Sequence, residues 1–74
     1  MKTTIETLTD AQINALRTEA GEAGDFLQLE ICNVALSGRV SEDSYETITY
    51  AERNRLCRMT ESEAREICLE VINK

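Results

Sequence analysis

The stretch Gly24 to Gly38, GDFLQLEICNVALSG, constrains the fold more than any other part of the chain. It opens with a capping aspartate, Asp25, and closes on a glycine, and eight of the eleven side chains from Phe26 to Leu36 are apolar. At about 100° per residue, Phe26, Leu29, Cys32, Ala35 and Leu36 fall on one side of a helix. Leu27, Ile31 and Val34 form a second stripe on the opposite side. A helix that is apolar nearly all round has to be covered from several directions. The rest of the chain, or a partner, must therefore pack around it.

At 74 residues the chain is expected to be one domain, 1–74, with a small core, since domains of this size bury only ~60% of their unfolded surface. Proline is absent and only three glycines occur, which suits a helical chain with short connections. Thr9-Asp10-Ala11-Gln12 reads as a capping box, with Leu8 and Ile13 as its hydrophobic staple. Ile13, Leu16, Ala20 and Ala23 then give a single narrow stripe, and Gly21 and Gly24 are expected to end the helix. Asp25 caps the next helix with Gln28 three residues on, and the short link predicts a helical hairpin. Gly38 closes that second helix.

Residues 39–48 are expected to be a loop with room for one helical turn. A turn beginning at Ser41-Glu42-Asp43-Ser44 would be stapled by Val40 and Tyr45, while Thr47, Ile48, Thr49 and Tyr50 disfavour helix. Thr49-Tyr50-Ala51-Glu52 and Thr60-Glu61-Ser62-Glu63 are two further capping boxes. They open a helix carrying Leu56 and Met59 inward, and a last helix with the stripe Ala64, Ile67, Cys68, Val71 and Ile72. The expected fold is thus all-α: a small bundle of about four helices, at roughly 9–22, 25–37, 49–58 and 60–73, with the second central.

The residue inventory argues against several kinds of chemistry. There is no histidine, and Cys32, Cys57 and Cys68 show no paired metal-ligand spacing, so no metal is expected. Cys32 and Cys68 read as small apolar core residues and Cys57 as the exposed one. Without histidine a serine or cysteine nucleophile lacks its usual base, and no GxSxG elbow or glycine-rich phosphate loop occurs. Glu61, Glu63, Glu66 and Glu70 recur at the spacing of a solvated helix face. No catalytic or cofactor-binding residue is assigned, and an enzyme is not expected.

The net charge is −6, with −4 in residues 1–38 and −2 in residues 39–74. This opposes phosphate backbones and anionic membrane surfaces. Arg53, Arg55, Arg58 and Arg65 cluster locally, but neighbouring glutamates at helical spacing predict ion pairing instead. Direct nucleic-acid binding is therefore not expected. The lead Met1 to Glu6 has no apolar run behind Lys2, so neither a signal peptide nor a membrane span is expected, and the cytoplasm is the expected compartment. Association with protein is better supported. The candidate partner-binding residues are Leu27, Ile31 and Val34 together with Glu42, Asp43, Tyr45, Glu46 and Tyr50, serving either a homodimer or a partner. Alternatively, segment 39–48 folds back over the second stripe and closes it.

The sequence also resembles a pattern in short, uncharacterised phage and prophage proteins. The matching residues are Thr9-Asp10-Ala11-Gln12-Ile13, Ala15-Leu16-Arg17, Glu19-Ala20, Ala23-Gly24-Asp25, Ile31-Cys32 and Ala35-Leu36-Ser37-Gly38. Ala64-Arg65-Glu66, Cys68 and Val71-Ile72 extend the match. The chain departs from the pattern by an insertion at roughly residues 39–59 and by apolar Leu27 and Val34. The resemblance implies a mobile-element protein acting in the host cytoplasm. By analogy with that class it implies an inhibitor of a host protein or complex, anti-CRISPR proteins being one such kind. The alternatives are a small helix-turn-helix-like regulator, or a self-associating structural or assembly protein.

Overall fold

Three threonines begin three of the helices. Thr9, Thr49 and Thr60 each accept the backbone N–H three residues on, and Gln12, Glu52 and Glu63 each accept the cap's own N–H in return. Each box satisfies two donors that the first helical turn cannot. The computed structural model describes residues 2–74, which form five helices. These are α1 (Asp10–Ala23), α2 (Phe26–Ser37), α3 (Ser44–Thr47), α4 (Tyr50–Cys57) and α5 (Glu61–Ile72). Among the described residues there is no strand. Thr60→Ala should destabilise the fold by about 1 kcal/mol, read as a lower urea midpoint at unchanged slope.

The chain folds around α2, which packs on all four other helices, with α1 and α5 as its principal neighbours. Ile13, Cys32, Val34, Ala35, Ala64 and Cys68 are fully buried, with Leu56 nearly so. Gly21 lies inside α1 and does not end it; α1 stops at Gly24. A methyl group added at Gly21 would lie 3.3 Å from Leu29 Cδ1, so the absent side chain lets the two helices of the hairpin approach closely. Gly38, at φ 78°, closes α2 in the left-handed conformation that glycine adopts without strain.

Both apolar faces of α2 are covered within the chain. Ile31 and Val34 are buried in one cluster with Leu56, and Leu27, Val40, Ile48 and Met59 pack against that cluster half-buried. Of the candidate partner-binding residues, Ile31 and Val34 thus offer almost no free surface, and both α3 and α4 pack on α2. That segment contains the single turn α3. The Val40–Tyr45 staple does not form, since Tyr45 is exposed.

Several core assignments are corrected. Phe26 is 41% exposed. Side chains on a helix tilt towards its N-terminus, so the first residue of α2 projects past the helix end and not onto a neighbour. Ala23, at the last position of α1, is exposed for want of a facing element. Leu29 and Leu36 are half-buried, and so are Ile67, Val71 and Ile72.

The two ends of the described chain are clasped together. Thr3 N–H donates to Asn73 Oδ1 at 3.0 Å, and Asn73 Nδ2 donates to the Thr3 carbonyl at 2.7 Å. The Arg65–Asp10 ion pair, at 2.6 Å, ties α5 to the start of α1. It is the only ion pair among the described residues, so Arg53, Arg55 and Arg58 do not form the expected intrahelical pairs. Helices α4 and α5 do not pack on each other; an open groove separates them.

Candidate protein-binding surface

Segment 39–50 is held by a polar network that apolar patterning does not foretell. Glu30 sits on α2 and is 2% exposed. Its Oε1 accepts the Ser41 backbone N–H at 2.8 Å and Asn33 Nδ2 at 3.0 Å, and its Oε2 accepts the Ser41 hydroxyl. The Ser41 oxygen also lies 2.9 Å from Asp43 Oδ1. Asn33 in turn accepts Arg17 Nη1 at 2.9 Å, so a guanidinium on α1 reaches the buried carboxylate through one amide. A carboxylate with three donors can be buried where a bare one could not.

The second anchor is Ser44, fully buried at the start of α3. Arg53 of α4 donates through Nε to Ser44 Oγ at 3.0 Å. The same guanidinium lies 6.0 Å from the centre of the Tyr45 ring, at the limit of a cation–π contact. Arg53 therefore joins α3 to α4, which explains why it is absent from the expected ion pairs.

Glu30 and Ser44 thus fix the segment from below, and its outer side faces solvent. Tyr45 is 67% exposed and Tyr50 80%, and Glu42, Asp43 and Glu46 are exposed beside them in sequence. The structure separates the candidate partner-binding residues into two groups. Glu42, Asp43, Tyr45, Glu46 and Tyr50 lie on one exposed stretch, whereas Ile31 and Val34 are interior and Leu27 is half-buried. Glu30, Ser41 and Ser44 escape a reading by hydrophobic period because each is polar. Only the position of Glu30 inside the largely apolar Phe26–Leu36 run hints at burial.

Two other features stand apart from this stretch. The groove between α4 and α5, about 650 Å³ and open to solvent, has arginines on one wall and glutamates on the other. Arg55 and Arg58 face Glu63, Glu66 and Glu70 across a floor that includes Met59 and Ile67. In the interior, Cys32 and Cys68 bring their sulfurs to 3.8 Å. The Gln28 amide does not complete the expected box with Asp25; it turns inward, with Nε2 3.6 Å from Cys32 Sγ and 3.8 Å from Cys68 Sγ. Among the described residues, no three or more of Cys, Asp and Glu are grouped to hold a metal ion, and no helix is long and apolar enough to cross a membrane.

Comparison with protein-family models, curated proteins and solved structures finds no match to this chain.

Proposed function

We propose that this protein acts without catalysis, by binding another protein through the exposed stretch Glu42 to Tyr50. The observation that carries the reading is the pair of tyrosines, 67% and 80% exposed, on a backbone anchored by Glu30 and Ser44. Large aromatic side chains on a fixed backbone lose little freedom when a partner covers them, and they are enriched at interfaces. Glu42, Asp43 and Glu46 add negative charge to a chain already at −6, which favours a partner with a basic surface.

The resemblance to phage proteins favours a host protein as that partner. A basic, nucleic-acid-handling defence complex, as in anti-CRISPR inhibition, is the kind that suits the charge. Immobilised protein exposed to bacterial lysate should retain a stoichiometric partner. Tyr45→Ala with Tyr50→Ala should weaken that capture at least about tenfold while the melting temperature stays within a few degrees. Equal capture by the double variant would overturn the assignment of this surface. Self-association through the same tyrosines would instead appear as a concentration-dependent mass in sedimentation that the double variant abolishes.

A further inference from the structure

The fully buried thiols of Cys32 and Cys68 are used by no part of the binding surface. We propose that Cys32 and Cys68 are a modification site: a dithiol that a hydroperoxide converts to a reversible disulfide joining α2 to α5. The inference is independent of the partner reading and concerns the opposite side of α2 from the segment that carries it.

Four observations support it. The sulfurs are in contact at 3.8 Å although their residues are 36 apart in sequence. Both are carried by regular helices that pack directly on each other, so their approach is built into the fold. The third cysteine, Cys57, is exposed on α4, leaving the buried two as each other's partner. Finally, the half-buried Gln28 places its amide N–H₂ within reach of both sulfurs, supplying a polar donor where a developing thiolate would otherwise face apolar surroundings.

The two thiols differ in role. The contact with the Cys68 sulfur lowers the Cys32 thiol from its ordinary value, against the opposing effect of burial, with the Gln28 amide and the Arg17 charge assisting and Asp25 opposing. Cys68 is held well above the ordinary thiol range by the same contact, by burial and by the charge on Cys32. In the proposed reaction Cys32, the thiol nearer the Gln28 amide, is the nucleophile and Cys68 the resolving thiol.

The Cys32 thiolate attacks one oxygen of the hydroperoxide, forming an S–O bond as the O–O bond breaks. The alkoxide or hydroxide released takes up a proton, and Cys32 is left as a sulfenic acid. Cys68 sulfur then displaces hydroxide from that sulfur, which leaves as water with the Cys68 proton. Two electrons pass from the two thiols to the peroxide, and a small dithiol reverses the change. Because both sulfurs are fully buried, reaction requires Gln28 to swing aside or α5 to open transiently.

The test uses the full chain carrying Cys57→Ser, which removes cross-links between molecules. After treatment with hydrogen peroxide under native conditions, the intact mass should fall by two hydrogens. Peptide mapping without reductant should join the Cys32 and Cys68 peptides, and dithiothreitol should restore the starting mass. The melting temperature of the oxidised form should rise by about 10 °C or more, since the bond closes a long loop of the unfolded chain. Adding Cys68→Ser should abolish the cross-link and let Cys32 accumulate oxygen instead. If the native thiols resist peroxide, or if they join only after the chain is unfolded in urea, the pair is ordinary core packing and the proposal fails.

Discussion

Val34→Asp should remove much or all of the stability of the folded state. Val34 is fully buried on α2 in the cluster that contains Ile31 and Leu56, so a carboxylate there would be desolvated among apolar groups with no designed partner. The expected loss is about 5 kcal/mol. A 74-residue chain has about 4–11 kcal/mol of stability to lose, so the variant should unfold at a far lower urea concentration and temperature than the parent, read by circular dichroism. Leu27→Asp provides the contrast. Leu27 belongs to the same stripe but is only half-buried, and its side chain can turn the charge towards water. It should cost about 1–2 kcal/mol and keep a folded chain. Equal behaviour of the two variants would mean that the stripe is not closed by segment 39–48 as described. A folded Val34→Asp protein that had merely lost a partner would place Val34 at an interface.

The second large effect is expected at Glu30. Its carboxylate accepts the Ser41 N–H, the Ser41 hydroxyl and the Asn33 amide, and no buried side-chain nitrogen or oxygen among the described residues lacks a partner. Glu30→Ala removes the acceptor and leaves its donors behind, at an expected cost of about 3 kcal/mol. The damage should be local before it is global. Segment 39–48 loses its tether to α2 while the α1–α2–α5 packing keeps its contacts, so limited proteolysis should cut first between Arg39 and Tyr50. Ser41→Ala removes only the hydroxyl and keeps the backbone bond, and about 1 kcal/mol is expected. If Glu30→Ala and Ser41→Ala cost the same, the backbone N–H bond contributes little and the tether lies elsewhere. The experiment also bears on binding, because Tyr45 and Tyr50 sit on the backbone that Glu30 holds. Capture of a partner should fall in Glu30→Ala even at temperatures where the core remains intact.

Much of the helical layout is legible from local chemistry. The boxes at Thr9, Thr49 and Thr60 depend on residues three apart, and Gly38 ends α2 through its own backbone freedom. Such signals need no knowledge of what lies across the core. The centrality of α2 is legible for a related reason: a helix apolar on both faces can only be interior, and all four other helices pack on it. Phe26 departs from its helical-wheel position. The helical wheel sets it within about 80° of Leu29 and Leu36, yet its exposure depends on where it stands along the axis, which a wheel does not represent.

The exposure of the candidate residues is legible only in part. Composition and sequence position picked out Tyr45 and Tyr50 with Glu42, Asp43 and Glu46, and these are exposed. The same reasoning grouped them with Ile31 and Val34, which are buried instead. The arginines went astray for a similar reason. Spacing offers each one a glutamate, but Arg53 turns to Ser44 and Tyr45, and Arg65 reaches Asp10 on another helix.

By itself, then, the sequence determined the helices, their starts and stops, and the need to enclose α2, because capping, glycine conformation and hydrophobic period act within a few residues of the chain. Only the tertiary structure decided that the second stripe of α2 is closed from within, that Glu30 is an interior anchor, and that two thiols 36 residues apart meet at 3.8 Å. Those outcomes depend on which surfaces from distant parts of the chain come into register, and no local preference carries that information.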